Sequence, residues 1–331
     1  MARRKARIPQ GKKVQPAVKT MAFNFVNGST DYIDISQCAS LVNRRFYRQG
    51  LNWAVAGFTL ITTPSTSGNL IISKIPDTWV ASNSWEKGFR TWQRMNSEAL
   101  DETDSVKPKF LDFKVFMDAT HHTNGVAANL LPLDEAGTTA TPGEWEYSKV
   151  VIPETTTATG AATSFEVIWT GANNPGAGAS GLDAKSLIEG YASSRGLPDI
   201  RDPNAPDDAA IYTENWMMAI SNEGTLQDNV VLTDLITENN QAPYPFENDG
   251  VNLDTMYPGG ANQLTGPEIV DWVGVSATTI GNVTKISGTN FPGGLIKLSN
   301  SFEGGTGDHV LLLHLVPGQH RGYMCQSMQD V

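Results

Sequence analysis

Hydrophobic residues along most of this chain occur in short runs that alternate with polar residues and end at turn-forming residues. Runs of this kind predict β-strands bounded by turns. The clearest is 109–119 (KFLDFKVFMDA), and the apolar run in 309–316 (HVLLLHLV) predicts a strand covered on both faces. Twelve strands are predicted: 21–26, 30–36, 53–62, 69–75, 109–119, 145–152, 164–170, 229–237, 268–279, 283–288, 294–299 and 309–316.

A few segments show helical rather than strand periodicity. The predicted helices are 38–49, 82–100 and 182–194. The second carries an apolar stripe that we expect to pack in the core. The stripe consists of Trp85, Phe89, Trp92 and Met95. Ser84 is the predicted N-cap of that helix.

These elements favour a single β-sandwich with long loops and a few short helices. We find no linker that divides the chain and no internal repeat. We expect the Gly- and Thr-rich connections to be exposed loops that carry surface function. These loops are 139–143, 155–163, 171–181 and 201–208. No apolar run approaches the roughly 18 residues of a membrane-spanning helix.

Charge is segregated along the chain. The formal net charge is −11, yet the first nineteen residues contain seven bases and no acid. Without those seven, 17 bases face 35 acids, a net charge of −18. The bases are Arg3, Arg4, Lys5, Arg7, Lys12, Lys13 and Lys19. Few apolar residues and two prolines predict that this arm is disordered, and its charge indicates binding to nucleic acid or a targeting signal.

A second basic cluster lies at 43–49 (NRRFYRQ). Arg44, Arg45 and Arg48 alternate there with Phe46 and Tyr47. Cations beside aromatic rings suit single-stranded nucleic acid, because the cations bind phosphates and the rings stack on bases. The other interpretation is a helix with a solvated basic face, and the sequence leaves both open.

One glycine motif invites a catalytic interpretation. Gly176, Gly178 and Gly181 match the dinucleotide-binding pattern, and Asp199 and Asp202 follow about 20 residues later. In that fold the first glycine ends its strand directly, whereas GANNP intervenes here, and no series of βαβ units surrounds it. We therefore predict an exposed loop. No other arrangement indicates catalysis, so we expect no enzymatic activity and no cofactor.

The histidines have no metal-ligand spacing. His121 and His122 are adjacent and are predicted to point to opposite faces of a strand, and the later histidines are five and six residues apart. The later histidines are His309, His314 and His320. We predict no bound metal.

Two further groups are assigned to ordinary roles. Cys38 and Cys325 are predicted to be free thiols of a reducing compartment. A dense acidic loop is predicted to be solvated, with Ca²⁺ binding as the open alternative. Its acids are Asp199, Asp202, Asp207 and Asp208.

The arm opening ARRKAR, the β-rich body and the ending 294–331 (GLIKLSNSFEGGTGDHVLLLHLVPGQHRGYMCQSMQDV) resemble capsid proteins of small circular, Rep-encoding single-stranded DNA viruses, the CRESS-DNA group. The resemblance implies an eight-stranded jelly roll, residues 21–331, behind an arm, residues 1–20. It also implies self-assembly into a T=1 icosahedral shell, packaging of single-stranded DNA, and nuclear import through host receptors. The localisation implied is the virion and the host nucleus, with an unknown host-cell receptor.

The arm is short and only moderately basic beside those common in that group, so Arg44, Arg45 and Arg48 are expected to contribute to packaging. Two alternatives remain. A positive-strand RNA virus capsid protein shares the jelly roll and the arm, because phosphate contacts do not distinguish RNA from DNA. A carbohydrate-binding or hydrolytic β-sandwich would use some of the eight tryptophans as sugar platforms.

Overall fold

The computed structural model describes residues 16–101, 111–153, 162–195, 216–219 and 266–331. The strands are β1 (Thr20–Phe25), β2 (Thr30–Asp34), β3 (Leu51–Ile61), β4 (Gly68–Lys74), β5 (Lys149–Pro153), β6 (Ala162–Ile168), β7 (Ala184–Ser186), β8 (Glu268–Val275), β9 (Val283–Ser287), β10 (Asn290–Phe291), β11 (Leu295–Asn300), β12 (His309–Leu315), β13 (Pro317–Gly318), β14 (Gly322–Tyr323) and β15 (Cys325–Ser327). The α-helices are α1 (Ile35–Asn43), α2 (Trp79–Asp101), α3 (Ala119–Asn124), α4 (Leu187–Arg195) and α5 (Trp216–Ala219).

Two antiparallel sheets face each other and form a β-sandwich, as the alternating pattern predicts. In sheet A, β1 pairs with β12, β12 with β3, and β3 with β9; β10 and β15 extend the pairing along β3. In sheet B, β2 pairs with β11, β11 with β4, and β4 with β8. The chain alternates between the two sheets except at β4 and β8, which are neighbours in sheet B.

The core between the sheets is built by strict alternation of side chains. On β12, Leu311, Leu313 and Leu315 are buried, whereas Val310 and Leu312 are half-buried on the outer face. The prediction that 309–316 is covered on both faces is therefore wrong. The apolar outer residues kept this strand from showing the alternation in its sequence.

The described parts of the segment between β4 and β8 build a second layer against the outer face of sheet B. A three-stranded sheet, β5-β6-β7, packs there with α2 and α4. Side chains of sheet B serve both cores by alternation, because Ile33 and Ile296 point into the sandwich while Tyr32 and Leu295 point into this second layer.

Helix α2 packs its aromatic stripe in the second core, as predicted, and Trp85 and Trp92 are buried there. The predicted N-cap is wrong. The helix begins at Trp79, five residues before Ser84, and its 23 residues extend the predicted range 82–100 at both ends. The Thr78 hydroxyl accepts from the Ala81 N–H (3.3 Å), so it caps the first turn.

The strand predicted at 109–119 is wrong for its described part. Residues 111–115 form no regular strand, and side chains take part of their backbone hydrogen bonding, although Lys114 O still accepts from Ser148 N (2.8 Å). Ser148 Oγ accepts from Lys114 N (2.9 Å), and Gln49 both accepts from Val115 N (2.7 Å) and donates to Val115 O (3.1 Å). Residues 109 and 110 lie outside the described part of the chain.

A polar lock joins the second layer to sheet B. The Asp118 carboxylate accepts from Lys297 Nζ (2.6 Å), the Tyr32 hydroxyl (2.7 Å) and the His121 backbone N–H (2.8 Å). Asp118 precedes α3, whereas Tyr32 and Lys297 lie on β2 and β11. Lys297 lowers the pKa of Asp118 although burial opposes it. The carboxylate is therefore held ionised between two elements distant in sequence.

His121 is neutral within this lock. Its Nδ1 accepts from Met117 N (3.1 Å), so Nε2 carries the proton and faces Asn129 Oδ1 (2.7 Å). Burial lowers the pKa of His121 from 6.5 to about 4. Because the folded pKa is depressed, the stabilisation from neutral His121 is complete above pH ~6.5 and is lost as the pH falls toward 4.

Several predicted features lie outside the described residues. They are the strand 229–237, the loop 201–208 with three of its acids and the preceding Asp199, most of the loop 155–163, and the arm through residue 15.

Candidate nucleic-acid interface

The second basic cluster lies on a connection, not on a helix. Helix α1 ends at Asn43 because Arg44 adopts a left-handed conformation (φ 53°). The helix predicted over 38–49 is therefore wrong beyond residue 43. Arg44 and Arg48 are exposed, and Arg45 is half-buried.

Tyr47 does not offer a stacking surface. Its side chain is fully buried, packs against Trp53 and Tyr323, and donates its hydroxyl to Arg321 O (2.9 Å). The half-buried Phe46 lies 5.5 Å from the Arg48 guanidinium. The connection thus uses one ring as an anchor in the core and presents the arginines at the surface.

Backbone carbonyls position two of these arginines. Arg48 Nη1 donates to Leu111 O, and Arg45 Nη1 donates to Pro16 O (3.1 Å). Each guanidinium has five N–H donors, so these bonds orient the group without neutralising its charge.

The arm leaves the sandwich at this same corner. Val18 N donates to Asn43 Oδ1 (3.0 Å), and Val18 O accepts from the Tyr323 hydroxyl (2.6 Å). The exposed Lys19 follows, and β1 begins at Thr20. The structure therefore brings the root of the arm beside Arg45, which the sequence did not reveal.

Sequence analysis missed Arg321 as a member of this corner. It is exposed, has a positive φ of 51°, and its Nη1 donates to Phe46 O. No local pattern around Arg321 indicates a site, because its proximity to Phe46 joins residues 275 positions apart. We define the basic corner as Lys19, Arg44, Arg45, Arg48 and Arg321.

Two carboxyl groups lie behind the basic corner, the buried Asp34 and the half-buried Asp112. Asp34 caps α1 through Ser36 N (2.9 Å) and accepts from Gln49 Nε2 (3.1 Å); Gln49 N donates to Asp112 (3.3 Å). Burial raises the pKa of Asp34 to about 7 and that of Asp112 to about 6.

These pKa values set the sign of the pH response. Folding raises the pKa of both carboxyl groups above the unfolded value of 3.8. The stabilisation that protonated Asp34 and Asp112 give the folded protein is therefore complete below pH 3.8 and is lost as the pH rises through 6 to 7. Protonation of Asp34 and Asp112 also removes negative charge behind the arginines. The positive field of the corner therefore increases as the pH falls through this range.

The glycine motif forms an exposed loop between β6 and β7, as predicted. Gly176 and Gly181 are exposed, and β7 separates the loop from α4. In the first turn of α4 the Glu189 backbone N–H donates to Ser186 Oγ (3.3 Å), so this donor is not available to a phosphate. The half-buried Gly178 packs on the buried His122, whose Nε2 lies 3.1 Å from Glu166 Oε2. The motif thus serves close packing.

Gly178→Ala is expected to destabilise the protein by about 1–3 kcal/mol, because overpacking strains a closed site. An added Cβ would lie 2.5 Å from His122 Nε2 and 2.8 Å from His122 O. Gly176→Ala is the matched control, since its nearest contact is a side-chain oxygen at 3.3 Å and it should cost far less. Urea denaturation of both variants measures the difference; NAD binding that is lost equally in both would contradict this interpretation.

The remaining histidines and the cysteines occupy structural positions. His121 and His122 are both buried on α3, so the prediction that they lie on a strand and point to its opposite faces is wrong. No group of three or more potential metal ligands occurs among the described residues. Cys38 and Cys325 are unpaired, as predicted.

All eight tryptophans fall within the described ranges, and only Trp272 on β8 is largely exposed (61%). The other tryptophans are buried or half-buried. No helix within the described ranges is long and apolar enough to cross a membrane.

No protein-family model, curated protein or solved structure matches this chain. Its function is therefore inferred from its own residues and geometry.

Proposed function

We propose that this chain is a viral capsid protein that assembles into a small icosahedral shell and packages single-stranded DNA. The arm and the basic corner hold the genome, and copies of the same chain form the shell with T=1 symmetry. The arm also carries the signal that host import receptors recognise, so the protein enters the nucleus before assembly. It has no catalytic role.

The strand order supports a jelly roll as the shell fold. Eight of the sandwich strands are ordered β1-β12-β3-β9 in sheet A and β2-β11-β4-β8 in sheet B, and they alternate between the sheets along the chain except at β4 and β8. Jelly rolls place eight strands in two Greek keys and occur in viral capsids and lectins. The layer inserted between β4 and β8 then lies on one face of the shell domain.

The observation that carries the proposal is the position of the arm root. The remainder of the chain has a net charge of −18, and the root of the basic arm contacts the basic corner, where Pro16 O accepts from Arg45 Nη1 (3.1 Å). An acidic body repels polyanions, so nucleic acid is expected to bind where these cations converge. Phosphate contacts do not distinguish the sugar, and an RNA genome differs from this proposal only in the packaged molecule.

One observation favours a different class of function. Trp272 is exposed on an edge strand, and a flat aromatic side chain is a common platform for sugars. A carbohydrate-binding sandwich would use this residue and would remain a small soluble species. The basic corner has no role in that alternative.

Expression of the full chain is expected to yield closed particles of megadalton mass that protect nucleic acid from nuclease. Sedimentation and electron microscopy measure the assembly, and digestion of the extracted nucleic acid with DNase or RNase identifies the sugar. A protein that stays monomeric across salt and pH would contradict the proposal. Sugar binding that Trp272→Ala abolishes would favour the alternative.

A further inference from the structure

Sheet A has no acidic residue in any of its strands, although the chain contains 35 acids. The strands of sheet B, in contrast, include Asp31, Asp34, Glu268 and Asp271. The strands of sheet A therefore add no negative charge to its outer face, although the protein as a whole is acidic. Local repulsion of a polyanion is therefore weaker at this face than over the acidic remainder of the body.

A row of hydrogen bonds crosses this outer face from one edge to the other. Lys285 Nζ on β9 donates to Thr59 Oγ1 on β3 (2.8 Å). His314 on β12 links Thr59 Oγ1 (2.9 Å, Nε2) to Thr20 Oγ1 on β1 (3.1 Å, Nδ1). The row spans three strand spacings, about 14 Å.

The two ends of the row belong to exposed residues. Thr59 is buried in the middle, where its hydroxyl oxygen accepts from Lys285 Nζ and is hydrogen-bonded to His314 Nε2. The Thr20 hydroxyl and the Lys285 ammonium are both hydrogen-bond donors and lie on exposed residues.

An apolar strip runs beside the row on the same face. Leu312 is paired with Thr59, and Val310 with Ile61, which in turn is paired with Val283. These side chains are exposed or half-buried. Unpaired nucleobases have flat apolar faces that can pack against such side chains, whereas a duplex keeps those faces stacked inside.

The row also begins where the arm ends. Thr20 follows Lys19, whose carbonyl accepts from Leu315 N (2.8 Å), and the basic corner lies at the same end of the sheet. We therefore expect a nucleic-acid strand that is bound by the arm to continue onto this face.

We propose that the outer face of sheet A binds single-stranded nucleic acid, with phosphates on Thr20 and Lys285 and bases along the apolar strip. This inference rests on the proposed packaging function and identifies a surface that the arm and the basic corner do not include. We infer a single-stranded occupant because only unpaired bases can pack on an apolar strip of this kind, whereas a duplex keeps its bases stacked inside.

Binding of a fluorescein-labelled oligodeoxythymidine to the full chain tests the surface through two variants. Lys285→Met removes one cation, so the log–log salt slope should flatten by about 0.7. Thr20→Val removes a neutral donor at constant shape, so affinity should fall at every salt concentration with an unchanged slope. Lys149→Met, an exposed lysine on β5, is the matched control and should bind as the unaltered protein does.

Melting temperature and circular dichroism establish that each variant is folded before binding is compared. Unchanged binding in both variants, with binding lost on removal of the arm, would overturn this inference and leave the packaging function intact. Equal weakening by Lys285→Met and Lys149→Met would also overturn it, as a general charge effect. Normal binding combined with failed particle assembly would assign the face to a second copy of the chain. Absence of binding by the unaltered protein would overturn the packaging function itself.

Discussion

Deletion of residues 2–15 is expected to abolish packaging of nucleic acid while leaving the sandwich folded. The deleted stretch carries six cations, each of which contributes about 0.7 to the log–log salt slope on single strands, so the slope should fall by about 4. Residues 16–19 must be retained, because Pro16, Val18 and Lys19 bond to the body. The readouts are oligonucleotide binding against salt and nuclease-protected content.

A full-length variant with glutamine at the six positions separates charge from chain length. It should fail to package to the same extent as the deletion, and both should melt at the temperature of the unaltered protein. Both should also enter nuclei less efficiently. A truncated protein that packages nucleic acid normally, with an unchanged salt slope, would show that the arm is not the packaging element.

Asp118→Ala is expected to lower the free energy of unfolding by about 3–5 kcal/mol, since removing one partner of a buried ion pair leaves the other uncompensated. Asp118 is 7% exposed, and its loss strands Lys297 Nζ, the Tyr32 hydroxyl and the His121 N–H without their acceptor. The second layer would then lose its polar attachment to sheet B. Urea denaturation followed by tryptophan fluorescence measures the loss.

Arg90→Ala is the control for this prediction. Its ion pair with Glu86 lies on α2, and the Arg90 side chain is 75% exposed, so removal should cost no more than about 1 kcal/mol. Equal losses in Asp118→Ala and Arg90→Ala would mean that the buried lock does not hold the two layers together.

Local pattern located the strands β1 and β4, although it misjudged the outer face of β12. The apolar residues of β1 and β4 alternate or cluster between turn residues, and the sandwich contains both strands as predicted. The pattern misled where side chains replace backbone partners. Residues 111–115 look like a strand, but Gln49 and Ser148 take their hydrogen bonds.

The sequence also showed one part of the candidate interface and left another part to the tertiary structure. Charge composition alone separated a basic N-terminus from an acidic remainder, and the bases at 44–48 were visible as a cluster. The sequence did not show that Tyr47 is an anchor in the core or that Arg321 joins the corner. Both depend on contacts between residues about 275 positions apart.

By itself the sequence determined the β-rich class, the segregation of charge and the core role of the α2 stripe, because each follows from neighbours a few residues apart. Only the tertiary structure decided the strand order, the meeting of the arm root with the arginines, and the hydrogen-bonded row from Thr20 to Lys285. Strand order is set by which apolar faces bury each other, and β1 pairs with β12 across almost the whole chain. Periodicity records which residues face inward, but not which distant strand covers them.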